Sequence, residues 1–180
     1  MARHIVMLRG INIVRTNRIA MPALRATLTR SGFTDVATYV QSGNVVLTSR
    51  ASADRVAETV ATAIAKEFKL DIAVVVRSRD ELAAIVSGDP LKTVAKDPRR
   101  YQVSFFDRPL GAEAVRKLEA AMVAPERLVI RGREAYAWHP AGIGRSRLWA
   151  ALAGRSLGVT ATARNWTTVT TLLALADAKS

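Results

Sequence analysis

The spacing of apolar residues from residue 3 to residue 77 changes repeatedly between a pattern typical of strands and one typical of helices. Residues 5–8 form a short apolar run of the kind found in buried strands. Met21, Leu24 and Leu28 then recur at helical spacing, and Gly32 stands where a helix ends in a left-handed residue. This stretch therefore predicts a strand followed by an amphipathic helix.

The segment that follows predicts a hairpin, a second helix and a further strand. Residues 36–41 and 45–48 are predicted strands, and Gly43 lies in the turn between them. Apolar residues recur every four positions over residues 56–68, and the β-branched run over residues 72–76 is typical of a buried strand. The resulting order, β-α-β-β-α-β, is that of a ferredoxin-like domain.

The second half of the chain approximately repeats this order. Ser78 and Glu81 have the spacing of a capping box that opens a helix, and a polar, proline-marked connection follows over residues 89–98. Further along, the pattern predicts a strand over 101–106, a helix, two strands over 127–130 and 135–139 joined by a turn at Gly132, and two closing helices. No residue repeat accompanies this similarity of order.

We therefore predict an α+β fold of two ferredoxin-like repeats with antiparallel sheets and an extra C-terminal helix. The first lobe with its linking helix is expected over residues 1–88, and the second lobe with the C-terminal helix over residues 89–180.

Composition excludes several kinds of chemistry. The chain has no cysteine, which rules out disulfides, thiolate nucleophiles and cysteine-bound metals. His4 and His139 are the only histidines, and neither has the spacing of a metal site or of a Ser/His/Asp triad. The first apolar run breaks at Arg9, too early for a signal peptide, and no run approaches the roughly 20 residues of a membrane span. We expect a cytoplasmic protein with no membrane contact, no metal and no cofactor.

The net charge of +12 favours polyanionic partners but does not identify one. Most of the positive charge is arginine, spread along an alanine-rich chain, and a GC-rich genome produces the same bias without a functional cause. A nucleic-acid partner and a purely compositional origin both stay open.

Candidate ligand contacts come from four short polar clusters at the ends of predicted strands and helices, where backbone N–H groups and guanidinium groups face outward. The candidate residues are Arg9, Asn12, Gln41, Asn44, Gly142, Gly144, Arg145, Ser146, Arg164 and Asn165. Each cluster also has a purely structural interpretation, in which the glycines form turns and Ser146 or Thr162 caps a helix. Gly10, at a strand end, is typical of the close approach of another backbone or a ligand. Arg164 is the favoured contact, because a cation in the first turn of the last helix would oppose the helix dipole unless an anion were bound.

The strings LRGIN, YVQSGNVV, GIGRSRL and TARNWTTV, in this order, resemble those of a bacterial family catalogued as domain of unknown function 1697. The resemblance covers nearly the whole chain and implies an α+β fold of two ferredoxin-like repeats. It supplies no reaction, cofactor or catalytic residue. After LRGIN the family often has a glycine pair and a lysine, whereas residues 13–17 of this chain have none, so a glycine-rich binding loop is not expected there.

The sequence is compatible with four functions. The leading hypothesis is a module that binds a phosphorylated or carboxylated small molecule in one electropositive hollow, with Arg147 joining Arg9, Arg145 and Arg164 as anion contacts. The second is binding of RNA or single-stranded DNA, with Tyr101 and Phe105 as a partial stacking platform. The third is an enzyme of unidentified reaction, and the fourth an assembly role. Oligomeric state stays open.

Overall fold

The alternation of strands and helices predicted for the first repeat is confirmed in the computed structural model, which describes residues 1–13 and 16–178. The chain divides into two units. The first contains Met1–Ile85 together with the chain from Thr171 onward, and the second contains Val86–Thr170. None of the described helices is long and apolar enough to cross a bilayer.

The first unit has the strand order and connections of a ferredoxin-like domain. Its elements are β1 (Ala2–Leu8), α1 (Met21–Arg30), β2 (Thr34–Tyr39), β3 (Asn44–Ser49), α2 (Ala53–Phe68) and β4 (Val74–Ser78). The sheet is antiparallel throughout, in the order β2-β3-β1-β4. The two central strands, β1 and β3, have five buried residues each, whereas the edge strands β4 and β2 have three and none.

Helices α1 and α2 supply the apolar core of the first unit. The α2 stripe formed by Val56, Val60 and Ile64 is completely buried, as its four-residue spacing predicts. It belongs to the same cluster as Val6 and Leu8 of β1. Burial of these side chains provides the main driving force for folding of this unit.

Local sequence signals set the helix ends of this half as predicted. At the end of α1 the N–H of Gly32 bonds the Thr29 carbonyl and the N–H of Phe33 bonds the Leu28 carbonyl, a Schellman ending with Gly32 at φ +94°. At the start of the helix that follows β4, the Ser78 N–H donates to Glu81 Oε2 at 2.7 Å and the Glu81 N–H to Ser78 Oγ at 3.1 Å. The predicted capping box is thus confirmed.

The second unit repeats the same topology. The remaining elements are α3 (Arg79–Ser87), β5 (Tyr101–Phe106), α4 (Ala112–Ala121), β6 (Arg127–Arg131), β7 (Glu134–Trp138), α5 (Arg147–Ala153), β8 (Ala161–Asn165) and α6 (Trp166–Asp177). The antiparallel sheet has the order β6-β7-β5-β8, which matches the first unit strand for strand. The predicted fold of two ferredoxin-like repeats with a C-terminal helix is confirmed.

Strand β8 corrects the sequence analysis, which assigned residues 162–166 to the start of the last helix. Residues 161–165 pair instead with β5, from Gln102 opposite Asn165 to Phe106 opposite Ala161, and α6 begins only at Trp166. Asn165, rather than Thr162, caps α6 by accepting the Thr168 N–H at 2.9 Å. The strand carries little apolar signal of its own, so its identity depends on the partner strand.

Candidate functional site

Two of the predicted clusters meet at one end of the first sheet. The Leu8 N–H donates to the Gly43 carbonyl at 2.9 Å. Asn12 joins the two loops, because its Nδ2 donates to the carbonyls of Gln41, at 2.7 Å, and Ile19, at 2.9 Å. Its Oδ1 accepts the Ile19 N–H at 2.9 Å. The amide of Asn12 is therefore engaged in holding the loops together.

The close backbone approach in this region occurs at Gly43 and not at Gly10, where the sequence analysis placed it. A β-carbon on Gly43 would lie 2.7 Å from Leu8 Cβ and 2.8 Å from Ile11 Cδ1. A β-carbon on Gly10 would meet no atom within 4 Å. Both glycines have positive φ, of +75° and +67° respectively, so both positions disfavour a side chain but only Gly43 lacks space for one.

The other predicted residues of this region differ in accessibility. Asn44 is completely buried, and its Nδ2 donates to the Tyr39 carbonyl at 3.2 Å and to Ser42 Oγ at 3.0 Å. Gln41 is exposed, and Arg9 is half-buried with its N–H bonded to the Ala73 carbonyl. A role in ligand binding stays a prediction for all of these residues. Val14 and Arg15, which follow the LRGIN string, lie outside the described residues.

A cleft of about 580 Å³ lies in the second unit, between the loop before β6 and the loop before α5. Its lining includes four predicted ligand residues: Gly142, Gly144, Arg145 and Ser146. It also includes Arg147, the further anion contact of the leading hypothesis, and the remaining lining residues are Val123, Ala124, Pro125, Glu126, Pro140 and Ala141. The volume falls in the range of ordinary small-molecule sites.

A polar network fixes the two loops that form this cleft. Ser146 Oγ donates to Glu126 Oε1 at 2.5 Å, and His139 Nδ1 lies 2.9 Å from the same oxygen. Ser146 also caps α5 by accepting the Trp149 N–H at 2.9 Å. The other carboxylate oxygen, Glu126 Oε2, accepts the Val123 N–H at 3.1 Å. Glu126 is thus the common acceptor of the network.

The pKa of Glu126 reflects this arrangement. Partial burial by itself would raise the pKa of the carboxyl group, because the charged form loses hydration. Hydrogen bonds from Ser146, His139 and the Val123 N–H outweigh this effect and hold the pKa of Glu126 below its ordinary value. The carboxylate is therefore charged at neutral pH, with its charge directed at donors within the protein.

The three side chains Glu126, His139 and Ser146 do not have the geometry of a catalytic triad. In a triad the serine and the carboxylate contact opposite nitrogens of the imidazole, so that the ring can take the serine proton. Here Ser146 Oγ, at 3.1 Å, and Glu126 Oε1 both face Nδ1. His139 is completely buried, and its Nε2 contacts no hydrogen-bond partner among the described residues. These hydrogen bonds instead hold the loop before β6 against the loop before α5.

Glu126 is not among the residues predicted from the sequence, although a usable signal for it is present. The predicted turn at Gly132 sets the register of the β6–β7 hairpin, in which Arg127 is opposite Trp138. One further step in that register places Glu126 opposite His139. Extending the hairpin pairing beyond the predicted strands would therefore have brought these two residues together.

The cleft carries two exposed arginines, Arg145 and Arg147. No hydrogen bond or ion pair to another described residue engages either guanidinium group. The arginines at two other clefts differ in this respect, since Arg55 pairs with Glu58 at 2.9 Å and Arg108 pairs with Asp107 at 3.3 Å. The cleft before α5 thus offers positive charge that the fold itself does not neutralise.

Arg164, the favoured contact of the sequence analysis, lies on β8 and not in a helical turn, so the argument from the helix dipole does not apply to it. Its Nη1 donates to Thr162 Oγ1 at 2.8 Å and to the Ala163 carbonyl at 2.7 Å. Burial lowers the pKa of Arg164 to about 10. Asn165 is committed through Oδ1 to capping α6. Ligand contact by either residue stays a prediction.

The proposed aromatic platform for nucleic-acid bases is buried. Tyr101 and Phe105 on β5 are 1% and 0% exposed. The Tyr101 ring stacks on Trp166 with ring centroids 4.8 Å apart, and its hydroxyl donates to Asp89 Oδ1 at 2.6 Å. Neither ring is open to a base, so the expectation of a stacking surface here was wrong.

No group of three or more histidine, aspartate or glutamate side chains suited to a metal ion occurs within residues 1–13 and 16–178. The candidate chemistry of the described chain is therefore that of the cleft, with two arginines, a positioned carboxylate and apolar walls.

The fold and the cleft define an α+β protein of two ferredoxin-like repeats. The chain belongs to the family described as protein of unknown function DUF1697, which matches residues 1–136. The predicted family is confirmed, with LRGIN and YVQSGNVV inside the matched residues and GIGRSRL and TARNWTTV beyond them. The conserved bacterial protein SP0830 from Streptococcus pneumoniae has the same fold, with a TM-score of 0.81 at 22% identity over 98% of this chain and 99% of that chain. The comparison with curated proteins gives no match.

Proposed function

We propose that the cleft before α5 binds a small organic molecule that carries a phosphate or carboxylate group. The observation that supports this most strongly is the pair of exposed guanidinium groups, Arg145 and Arg147, which have no acceptor within the described chain. Guanidinium groups bind phosphate and carboxylate through parallel, charge-assisted hydrogen bonds. A cleft that concentrates two of them therefore favours an anion.

The lone carboxylate in the cleft does not oppose this proposal. Glu126 has only 12% of its side chain exposed, and both of its oxygens accept hydrogen bonds from the protein. These donors partly compensate the negative charge of Glu126, and little of the carboxylate is exposed to solvent. Arg145 and Arg147 are exposed, so the accessible charge of the cleft is positive.

Titration calorimetry with phosphorylated and carboxylated metabolites tests the proposal. We expect Arg145→Ala and Arg147→Ala each to weaken binding of the best ligand about 30-fold, since a charge-assisted hydrogen bond contributes about 2 kcal/mol. Arg155→Ala is the matched control, because it removes an equally exposed arginine that does not line the cleft. Equal losses in all three variants would show a nonspecific effect of net charge and contradict the proposal.

The same titration tests the predicted contacts outside the cleft. Arg9→Ala and Arg164→Ala each remove one of the other two arginines of the sequence-based hypothesis. An affinity within twofold of the unmodified protein would remove that residue from the binding site.

Nucleic-acid binding is the second candidate, and the net charge of +12 is the observation that favours it. With Tyr101 and Phe105 buried, such binding would not stack bases on either ring and would depend mainly on phosphate contacts. It would then weaken steeply between low and moderate salt for any single strand. Binding of a single-stranded oligonucleotide that is independent of salt, or absent at low salt, would exclude this candidate.

A further inference from the structure

We infer that the ligand of this cleft is an amphiphilic anion, a phosphate or carboxylate joined to an apolar body, and not a free inorganic anion or a sugar phosphate. The inference deepens the proposed function and rests on it. Its basis is the composition of the cleft walls, which are far more apolar than an anion alone requires.

One wall of the cleft is the segment Val123, Ala124 and Pro125, and Pro140 and Ala141 belong to the loop that forms the rest of it. None of these side chains carries a hydrogen-bonding group. A sugar or a second phosphate placed against them would lose its hydrogen bonds to water without replacement, which is costly. A hydrocarbon or aromatic body placed there would gain by leaving water.

The exposure of large apolar side chains agrees with this composition. Val123, on the cleft wall, is 54% exposed, whereas Met122 and Ile143, each 37% exposed, are sequence neighbours of lining residues and do not line the cleft themselves. Val123 thus leaves apolar surface in contact with water inside the cleft, and an apolar ligand body would gain by covering that surface.

The charged and the apolar lining residues come from different stretches of the chain. The arginines occur after Gly144, at the start of α5, whereas the apolar residues occupy residues 123–125 and 140–141. Glu126 is an ionised carboxylate, which accepts hydrogen bonds from Ser146 and His139 and has no donor to offer to an anionic ligand. A ligand with one anionic head group at Arg145 and Arg147 and an apolar body against the walls would match both the charged and the apolar residues of the lining.

A homologous series of ligands tests the inference. We would titrate the full chain with inorganic phosphate and with ethyl, butyl and hexyl phosphate, and in parallel with acetate, butyrate and hexanoate. We expect the affinity to rise about two- to fourfold for each added methylene that becomes buried. The better of the two series identifies the head group. An affinity that does not change with chain length would overturn the inference while leaving the proposed function intact.

Two variants separate the contributions of wall and head group. Val123→Ser, at a half-exposed position, should reduce the gain per methylene and leave inorganic phosphate or acetate binding unchanged. Arg145→Ala should weaken every member of the charged series by the same factor. Hexanol is the uncharged control, and equal binding of hexanol and hexyl phosphate, or no binding of any anion, would overturn the proposed function as well.

Discussion

Replacing Gly43 with alanine is expected to lower the free energy of unfolding by about 3 kcal/mol, through overpacking and a left-handed backbone acting together. The new methyl group would lie 2.7 Å from Leu8 Cβ. Leu8 is fully buried at the end of β1, and its β-carbon cannot move without its backbone. Relief therefore requires the two loops at this end of the sheet to separate.

Gly10→Ala is the matched control for this prediction. Gly10 also has positive φ, but no atom lies within 4 Å of its β-carbon position, so only the backbone cost of about 1 kcal/mol is expected. Urea denaturation followed by circular dichroism is the appropriate measurement, because all three tryptophans, Trp138, Trp149 and Trp166, belong to the second unit. Equal decreases in the unfolding free energy of the two variants would show that overpacking at Gly43 does not contribute to the destabilisation.

Replacing Glu126 with alanine is expected to destabilise the second unit by about 3 kcal/mol, because the hydroxyl of Ser146 and the ring N–H of His139 would lose their acceptor in a buried environment. Glu126→Gln retains an acceptor oxygen and should cost less. Trp149, whose ring lies edge-on to His139 with centroids 6.1 Å apart, gives a fluorescence signal from this region during denaturation. A cost for Glu126→Ala below that of Glu126→Gln would contradict the assigned role.

The same carboxylate predicts a specific pH dependence. The pKa of Glu126 is lowered in the folded protein, so its ionised form contributes stability above its unfolded pKa of about 4.3, and this contribution is lost as the pH falls through the folded value. The difference in unfolding free energy between the unmodified protein and Glu126→Gln should shrink as the pH falls below about 4.3. The other carboxylates are present in both proteins, so their contributions to the pH dependence cancel in this difference. A difference that grows on acidification would exclude this account.

The sequence predicted correctly those features that are stabilised by interactions between residues close together in the chain. The helical stripe from Val56 to Ile64, the glycine ending of α1 at Gly32 and the capping box at Ser78 each depend on residues within a few positions of one another. Their geometry follows from helical periodicity and from the hydrogen bonds that helix ends require. The order of elements, and with it the class of fold, could be derived in this way.

The candidate site was predicted in part. The glycines and arginine of residues 142–146 were selected from sequence, and they do line a cleft. The partner loop was missed, because Val123 and Pro125 have no signal beyond being apolar, and Glu126 differs from other surface carboxylates only if the predicted hairpin pairing is extended by one step. Their significance arises only when the β6–β7 hairpin brings Glu126 beside His139 and Ser146.

Sequence alone thus determined the two-repeat α+β architecture, the absence of cysteine chemistry and the short clusters that form the loops, because apolar periodicity and turn chemistry act over short distances along the chain. Tertiary structure alone decided that residues 161–165 form a strand, that Tyr101 and Phe105 are buried, and that Glu126 organises the cleft. Each of these depends on contacts between residues distant in sequence, and such contacts are fixed by strand register and packing, which no local pattern specifies.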